Sequence, residues 1–351
     1  MPFLSAVDIA NRACQHLGAM RISSLSDNSR QANEINFCYD KLRRAELRRS
    51  TWRFATRRAF IRLLTATSLR FIPAAYASGT TYTAGQIIQD SSGVYWISPY
   101  SSNTGNTPGD PVTGQPLWWQ QYFGSIYADV WSSTATYGAG ELVYKTGPTF
   151  YICTANASLN DDPASGAPWV AMPGTPTSLA TVFLQPAGPG MTVENPGGRP
   201  STIARNQFAL PYGFMRPLPP DPKVASVSHL QTSAAMKYLD YQFEGDNIIS
   251  ASDGPLLLRY VADVSDVTIM DDLYCEGLGA RIAYETCEII TQSGSKLNAI
   301  AASYQKFMND ARQINYLETG NTEDQEPDYP LRPGEPPPAP AQQQGQQEQG
   351  G

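Results

Sequence analysis

The side chains best placed to do chemistry are cationic and clustered. Lys41, Arg43, Arg44, Arg48, Arg49, Arg53, Arg57, Arg58 and Arg62 stand against Glu46 alone in the same stretch. Contact with phosphates is one use for such a stripe, because ammonium and guanidinium groups attract a polyanion without reading its sequence, as suits DNA in a channel. Salt bridging to acids of a neighbouring subunit or partner is the other. The stretch favours this second use: no aromatic or polar base-reading pattern accompanies the arginines, and Arg is common at protein interfaces. Lys41, Arg44, Arg48, Arg49, Arg53, Arg57 and Arg58 are therefore candidate subunit-interface or DNA-channel contacts.

Catalytic chemistry has few carriers. The sequence holds no GxSxG, no GxxxxGK[ST] and no HExxH, and its two histidines, His16 and His229, sit in unrelated regions. That leaves Ser/His or Cys/His machinery with little support. The acid pairs Asp161 with Asp162 and Asp271 with Asp272 could be imagined as a glycosidase acid and base. Adjacent acids before a helix or in a Pro-rich loop more often complement the helix dipole or solvate a turn. Cys14, Cys38, Cys153, Cys275 and Cys287 are odd in number and contain no CxxC pair, which argues for reduced, packed thiols. No enzyme activity, metal or cofactor is expected.

A third set of residues is aromatic and repeats. TYTAGQIIQDSSGVYWI from Thr81 returns as TYGAGELVYKTGPTFYI from Thr136. The offset reads as 55 residues at Tyr82/Tyr137 and Gly85/Gly140, 56 at Tyr95/Tyr151, 55 at Pro108/Pro163 and about 52 at Pro116/Pro168, each of these last two prolines preceding Trp118 or Trp119 and Trp169. Two copies of one small β-module follow. Their rings are core candidates first, since a module of this size barely fills a core of its own. The pattern also resembles the small chitin- and cellulose-binding modules of the chitinase C-terminal type, in which exposed rings stack on sugars. That resemblance makes Trp96, Tyr100, Trp119, Tyr151 and Trp169 candidate glycan-stacking aromatics.

The elements that must position these groups are legible at both chain ends. Ser5 and Asp8 form a capping-box start, followed by an apolar stripe of Ala6, Ile9, Ala10, Ala13 and Leu17 that stops at Gly18. A second helix starts near Asp27 or Ser29 and carries Ala32, Ile35, Tyr39, Leu42 and Ala45. Between Asp271 and Gln292, Leu278, Ile282 and Ile289 form a stripe flanked by Ala283, Cys287 and Ile290, while Gly277, Gly279 and Ala280 admit a close neighbour. After Ser293 and Gly294, Leu297, Ile300, Tyr304, Phe307, Ala311 and Ile314 repeat the pattern. Four such helices bury their stripes most simply in one bundle. Lys237–Phe243, Asn247–Ser250 and Leu256–Val261 read as short strands, with turns at Gly245-Asp246 and Asp253-Gly254.

The expected fold class is α+β. Its parts are N-terminal helices at 1–72, β-modules at 76–125 and 126–174, connecting loops with a small antiparallel element at 175–261, C-terminal helices at 262–319, and an acidic Pro/Gln-rich tail at 320–351. The chain of 351 residues has a net charge of −7. Six acids (Glu323, Asp324, Glu326, Asp328, Glu335 and Glu348) stand in the tail against Arg332 alone, so most of that charge is local. Alone, the tail is expected to be disordered with polyproline II stretches. Apolar runs are far shorter than the roughly 20 residues of a membrane span, and the N-terminus lacks a basic, then apolar leader pattern. A soluble protein made in a cytoplasm is expected, with no membrane anchor.

The helical ends resemble the head-to-tail adaptors of short-tailed phages, often called tail tubular protein A. The first match is ANRACQHLGAMRISSLSDNSRQANEINFCYDKLRRAELRRSTWRFATRR. FALPYGFMR at Phe208, YQFEGDNIIS, LLLRYVADVSD at Leu256 and the two closing helices to Arg312 supply the rest, about half the chain in all. The resemblance implies a homo-oligomeric ring of twelve copies in the neck of the virion, under the portal, assembled in the host cytoplasm. Such a ring continues the DNA channel, touches genomic DNA non-specifically, and meets the tail nozzle or tubular protein and tail fibres. It also implies that the tail reaches the portal, making Tyr329, Pro330, Leu331, Arg332 and Pro333 candidate portal-docking residues. The tandem insert from about Tyr76 to Pro173 is a departure from that family's pattern. Two alternatives stay open: a carbohydrate-binding virion subunit that attaches to the host through the modules, and a cell-wall-degrading enzyme.

Overall fold

The computed structural model describes residues 3–61, 63–64, 68–109, 117–145, 149–155, 158–178, 206–218, 241–244, 247–250 and 256–319. Among the described residues, four helices and several β-sheets make the chain α+β, as expected. Helix α1, Ala6–Leu17, begins as the sequence suggests. The Ser5 side chain accepts the Asp8 N–H, the Asp8 carboxylate accepts the Ser5 N–H at 2.9 Å, and Gly18 ends the helix at φ 64°. Helix α2, Arg30–Arg49, is capped by Ser29, whose hydroxyl accepts the Ala32 N–H. Helix α3, Asp272–Thr291, is capped by Asp271, which accepts the N–H groups of Leu273 and Tyr274. Helix α4, Gly294–Thr319, follows at once.

The stripes of all four helices meet in one core, where Ile9, Leu17, Ile35, Tyr39, Leu42, Leu278, Ile282, Ile300 and Met308 surround Trp52 and Tyr274. Two small residues set the spacing. A Cβ on Gly277 would lie 2.9 Å from the Met308 sulfur of α4, and one on Gly279 would lie 3.1 Å from Arg12 of α1. Ile289 and Ile314, placed in the buried stripes by periodicity, are instead exposed. Helix α4 buries only Ile300, Met308 and Ala311, which leaves Ile314 outside the core, and the buried residues of α3 end at Cys287, before Ile289.

Strand Leu256–Ala262 is the middle of an antiparallel sheet with Thr56–Ile61 and Phe214–Pro217. It does not extend the hairpin before it, as its nearness in sequence suggested. That hairpin, Tyr241–Glu244 with Asn247–Ser250, pairs with Asn206–Ala209 in a separate sheet. The expected turns at Gly245-Asp246 and Asp253-Gly254, and residues 237–240, lie outside the described residues.

Residues 74–173 leave and rejoin the rest at neighbouring positions. Strand Leu69–Pro73 pairs antiparallel with Gly174–Ser178, Pro73 opposite Gly174, and the Ala74 N–H bonds the Pro173 carbonyl at 3.1 Å. Between them the repeat is visible in the backbone. Thr81–Tyr82 pairs with Asn103–Thr104, and Ile87–Gln89, Tyr95–Ile97 and Gln120–Gln121 form a three-stranded sheet. Thr136–Tyr137 with Ser158–Leu159, and Leu142–Tyr144, Phe150–Cys153 and Trp169–Met172, repeat it.

Matching bonds fix the register. The Tyr82 hydroxyl accepts the Ala77 N–H at 2.8 Å, and the Tyr137 hydroxyl accepts that of Ser132 at 2.8 Å. Gly85 bonds Ser98 at 2.7 Å, and Gly140 bonds Cys153 at 2.8 Å. Tyr95 therefore answers to Phe150 and Trp96 to Tyr151, which replaces the 56-residue offset read between Tyr95 and Tyr151. Of the two candidate tryptophans, Trp119 answers to Trp169: each indole N–H reaches a loop carbonyl, of Asn106 at 2.6 Å and Asp161 at 2.9 Å.

Alternating side chains on these strands face two interiors. Tyr82, Ile88, Trp96 and Trp119 fill one copy, and Tyr137, Val143, Cys153 and Trp169 fill the other. The opposite faces, with Ile87, Tyr95, Leu142, Phe150 and Ile152, close on Phe71, Tyr122 and Met172 in a core that both copies share. Pooling apolar surface relieves the size limit on either copy alone. The leading strands pair antiparallel, with the Phe71 N–H on the Ile126 carbonyl at 2.7 Å. Phe71 and Ile126 are equivalent in the repeat register, so the copies face each other across an approximate two-fold axis between them.

Candidate functional site

The basic stretch does not form one surface. Lys41, Arg44 and Arg48 are exposed on the outer face of α2 with Phe37. Lys41 Nζ lies 3.6 Å from the Phe37 ring centroid, Arg44 Nε lies 3.2 Å from Asp263, and Arg48 has no ion partner among the described residues. Arg49 donates to the Tyr304 hydroxyl at 2.7 Å, and Arg53 meets Glu318 at 3.2 Å, so these two join the end of α2 to α4. Arg57 turns toward the first repeat. It lies 4.7 Å from the Phe123 ring centroid and donates to the carbonyls of Phe54 and Thr56, and burial lowers its pKa. Arg58 is exposed on Thr56–Ile61, paired in register with Arg259. Arg62 lies outside the described residues. The basic stretch is thus divided: Arg44, Arg49, Arg53 and Arg57 are each engaged by their own chain.

Two buried ionic clusters form on α2, one joining it to the other helices and one to the segment at Asp263, and sequence reasoning missed both. Glu46 is 2% exposed, yet its carboxylate accepts the Tyr304 hydroxyl at 2.7 Å and lies 3.5 Å from Arg49, 3.7 Å from Arg312 and 3.9 Å from Arg281. It links α2, α3 and α4. Burial, then the hydrogen bond to Glu46, pushes the Tyr304 hydroxyl up to about 12. Arg43, at 4% exposure, pairs with Asp263 at 2.6 Å and Asp40 at 3.2 Å and donates to the Val264 carbonyl. Burial works against its charge, but Asp263 and Asp40 more than offset this and raise its pKa. The signal was present: positions 39, 42, 43 and 46 follow one helical stripe, so charges at 43 and 46 fall on the core side.

Asp263 also joins the first repeat to this body. The Gln121 side chain donates to the Asp263 carbonyl at 2.9 Å and accepts the Ser265 N–H at 2.8 Å. Tyr212 stacks on Tyr95 with centroids 4.1 Å apart, and its hydroxyl donates to the Gly93 carbonyl at 2.9 Å.

The candidate sugar-stacking rings divide sharply. Trp96, Trp119 and Trp169 are each 4% exposed. They offer no face to a ligand, because each fills its module's interior and spends its indole N–H on Asp90, Asn106 or Asp161. Tyr151 is partly buried. Tyr100 alone among the five is well exposed, at 45%, and meets Trp118 edge-on with centroids 5.5 Å apart. The register puts Ala155 and Pro168 at the equivalent places in the second copy, so this ring pair belongs to the first alone.

A cleft of about 490 Å³ lies where Phe3, Arg53, Phe54, Met270, Asp271, Asn315 and Glu318 converge. Asp271 is committed there to capping α3, and the Asp161 and Asp162 side chains bond Ser158 and Lys145. All five cysteines are buried and unpaired. Among the described residues no group of His, Cys, Asp and Glu is placed to hold a metal, and no helix is long and apolar enough to cross a membrane. Tyr329, Pro330, Leu331, Arg332 and Pro333 lie outside the described residues. No family model and no curated protein matches the chain.

Proposed function

We propose that this chain is a structural virion protein, the head-to-tail adaptor of a short-tailed phage. Twelve copies form a ring under the portal, extend the DNA channel and give tail components a platform. The observation that carries the reading is the union of the two chain ends. The helices of the two chain ends, which carry most of the resemblance to that family, fold about one core, while residues 74–173 leave and return through paired strands, as an insertion into an existing body must. The outward cations of α2 face a neighbouring subunit or the DNA in the channel, and the repeat pair sits on the outside of the ring. The test is to image portal rings mixed with the purified chain. Added density on the portal axis is expected, and bare portals at saturating chain overturn the reading.

One observation favours a second role for the insert, as a carbohydrate-binding surface. The exposed Tyr100 ring meets the half-buried Trp118 edge-on, and aromatic rings at a surface are the groups that stack on sugars. The full chain is then expected to bind chitin or a host-surface glycan, and Tyr100→Ala with Trp118→Ala to abolish that binding without altering the fold. Equal retention of parent and variant on the glycan removes this role.

A further inference from the structure

The outer face of α2 carries a run of three cations and an apolar ring that the fold leaves in water. Phe37, Lys41, Arg44 and Arg48 follow at steps of four, three and four residues, which puts them on one helix face. Phe37 is 72% exposed and is touched there by Lys41. Asp40, beside the stripe, is engaged with Arg43. At 1.5 Å of rise per residue the stripe runs about 16 Å from Phe37 to Arg48.

The complementary charge is on the same chain. Glu323, Asp324, Glu326 and Asp328 fall within six residues and are followed by Tyr329. Extended, the run from Glu323 to Asp328 spans about 17 Å, the length of the stripe. It also starts near the right place. Asn315 donates to the Thr51 carbonyl at 2.8 Å and Glu318 meets Arg53, so the last turn of α4 lies beside the C-terminal end of α2. Glu323 follows Thr319 by four residues.

We propose that the acidic segment Glu323–Tyr329 binds along the outer face of α2 of its own chain, its carboxylates on Lys41, Arg44 and Arg48 and the Tyr329 ring on Phe37. Exposed ion pairs are individually weak. The short connection compensates by giving the segment an effective concentration on the order of millimolar at its site. The contact covers the cations of the free subunit and yields them when the tail is drawn elsewhere or a stronger polyanion competes. It does not depend on the adaptor reading, since it concerns the subunit before any partner is met.

Zero-length carbodiimide coupling of the full chain, read by peptide mass analysis, tests it. The expected product joins Lys41 to Glu323, Asp324, Glu326 or Asp328 at low salt, falls several-fold in 0.5 M salt, and disappears in Lys41→Arg. Lys145 and Asp162, 2.7 Å apart, supply the internal control. Coupling of the control pair without any Lys41–tail product overturns the proposal. A mixture of isotopically light and heavy chains decides whose tail is bound. Products within single copies are expected, and products only between copies overturn the own-chain contact.

Discussion

The helical body gathers the four described helices from the two ends of the chain, ties α2, α3 and α4 with buried charge at Glu46, and fastens α2 to the segment at Asp263 through Arg43. The repeat pair takes all its strands from one stretch, closes it with the ladder of Leu69–Pro73 on Gly174–Ser178, and fills its interior with aromatic and aliphatic rings and chains. The difference teaches where each can vary. Ion pairs inside the body demand particular partners on three helices, so its geometry is specified closely. The repeat pair needs only its two ends side by side, so it can be carried on a body that folds without it.

The comparison breaks most visibly at the tryptophans. Trp119→Ala or Trp169→Ala removes a ring filling one copy's core and is expected to cost about 3–5 kcal/mol. Hydrogen exchange should rise through both copies, because they share a core, while the amides of α1–α4 stay protected. Equal loss of protection in the helices would show a single cooperative unit instead.

Glu46→Gln probes the body. It leaves Arg49, Arg281 and Arg312 around a neutral group. The expected loss in chemical denaturation is about 2–3 kcal/mol, below the roughly 3–5 for breaking a fully buried pair, because these arginines are a quarter to a half exposed. Gly277→Val should cost about 1–3 kcal/mol by forcing α4 outward, and combining it with Met308→Ala should cost less than the two single changes summed, since Met308 is what the new side chain meets. Strict additivity would contradict that contact.

The smallest effect lies at the joint between the regions. Asp266 is raised above the ordinary carboxylate value by burial. Its folded-state pKa therefore lies above the unfolded one, so stability falls as pH rises through that interval and the deficit persists at neutral pH. Asp266→Asn, which keeps an acceptor for the Thr268 N–H, is expected to raise the melting temperature at pH 7 and to leave it unchanged at pH 3. A gain of the same size at both values would mean that the carboxylate charge is not the cause.

Local rules carried much of this architecture. Ser5 with Asp8, Gly18 and Ser29 mark helix ends through side chains that satisfy nearby backbone groups, and the repeat declares itself through Tyr82, Gly85 and their partners. Gly277 and Gly279 act as close-approach sites, as their size suggested. What was not legible depends on distant partners. Nothing local tells Leu256–Ala262 to choose Thr56–Ile61 over the preceding hairpin, or tells Ile87 and Leu142 to meet in a common core. The site was legible as a density of cations. Their division into outward Lys41, Arg44 and Arg48 and inward Arg43 needed the full positional pattern, in which Arg43 and Glu46 share the stripe of Tyr39 and Leu42.

The central claim, assembly on a portal, is tested most directly by the native mass of the chain alone and after mixing with portal rings. The account predicts one discrete complex carrying twelve copies per portal. A portal mass that stays unchanged at saturating chain would contradict it.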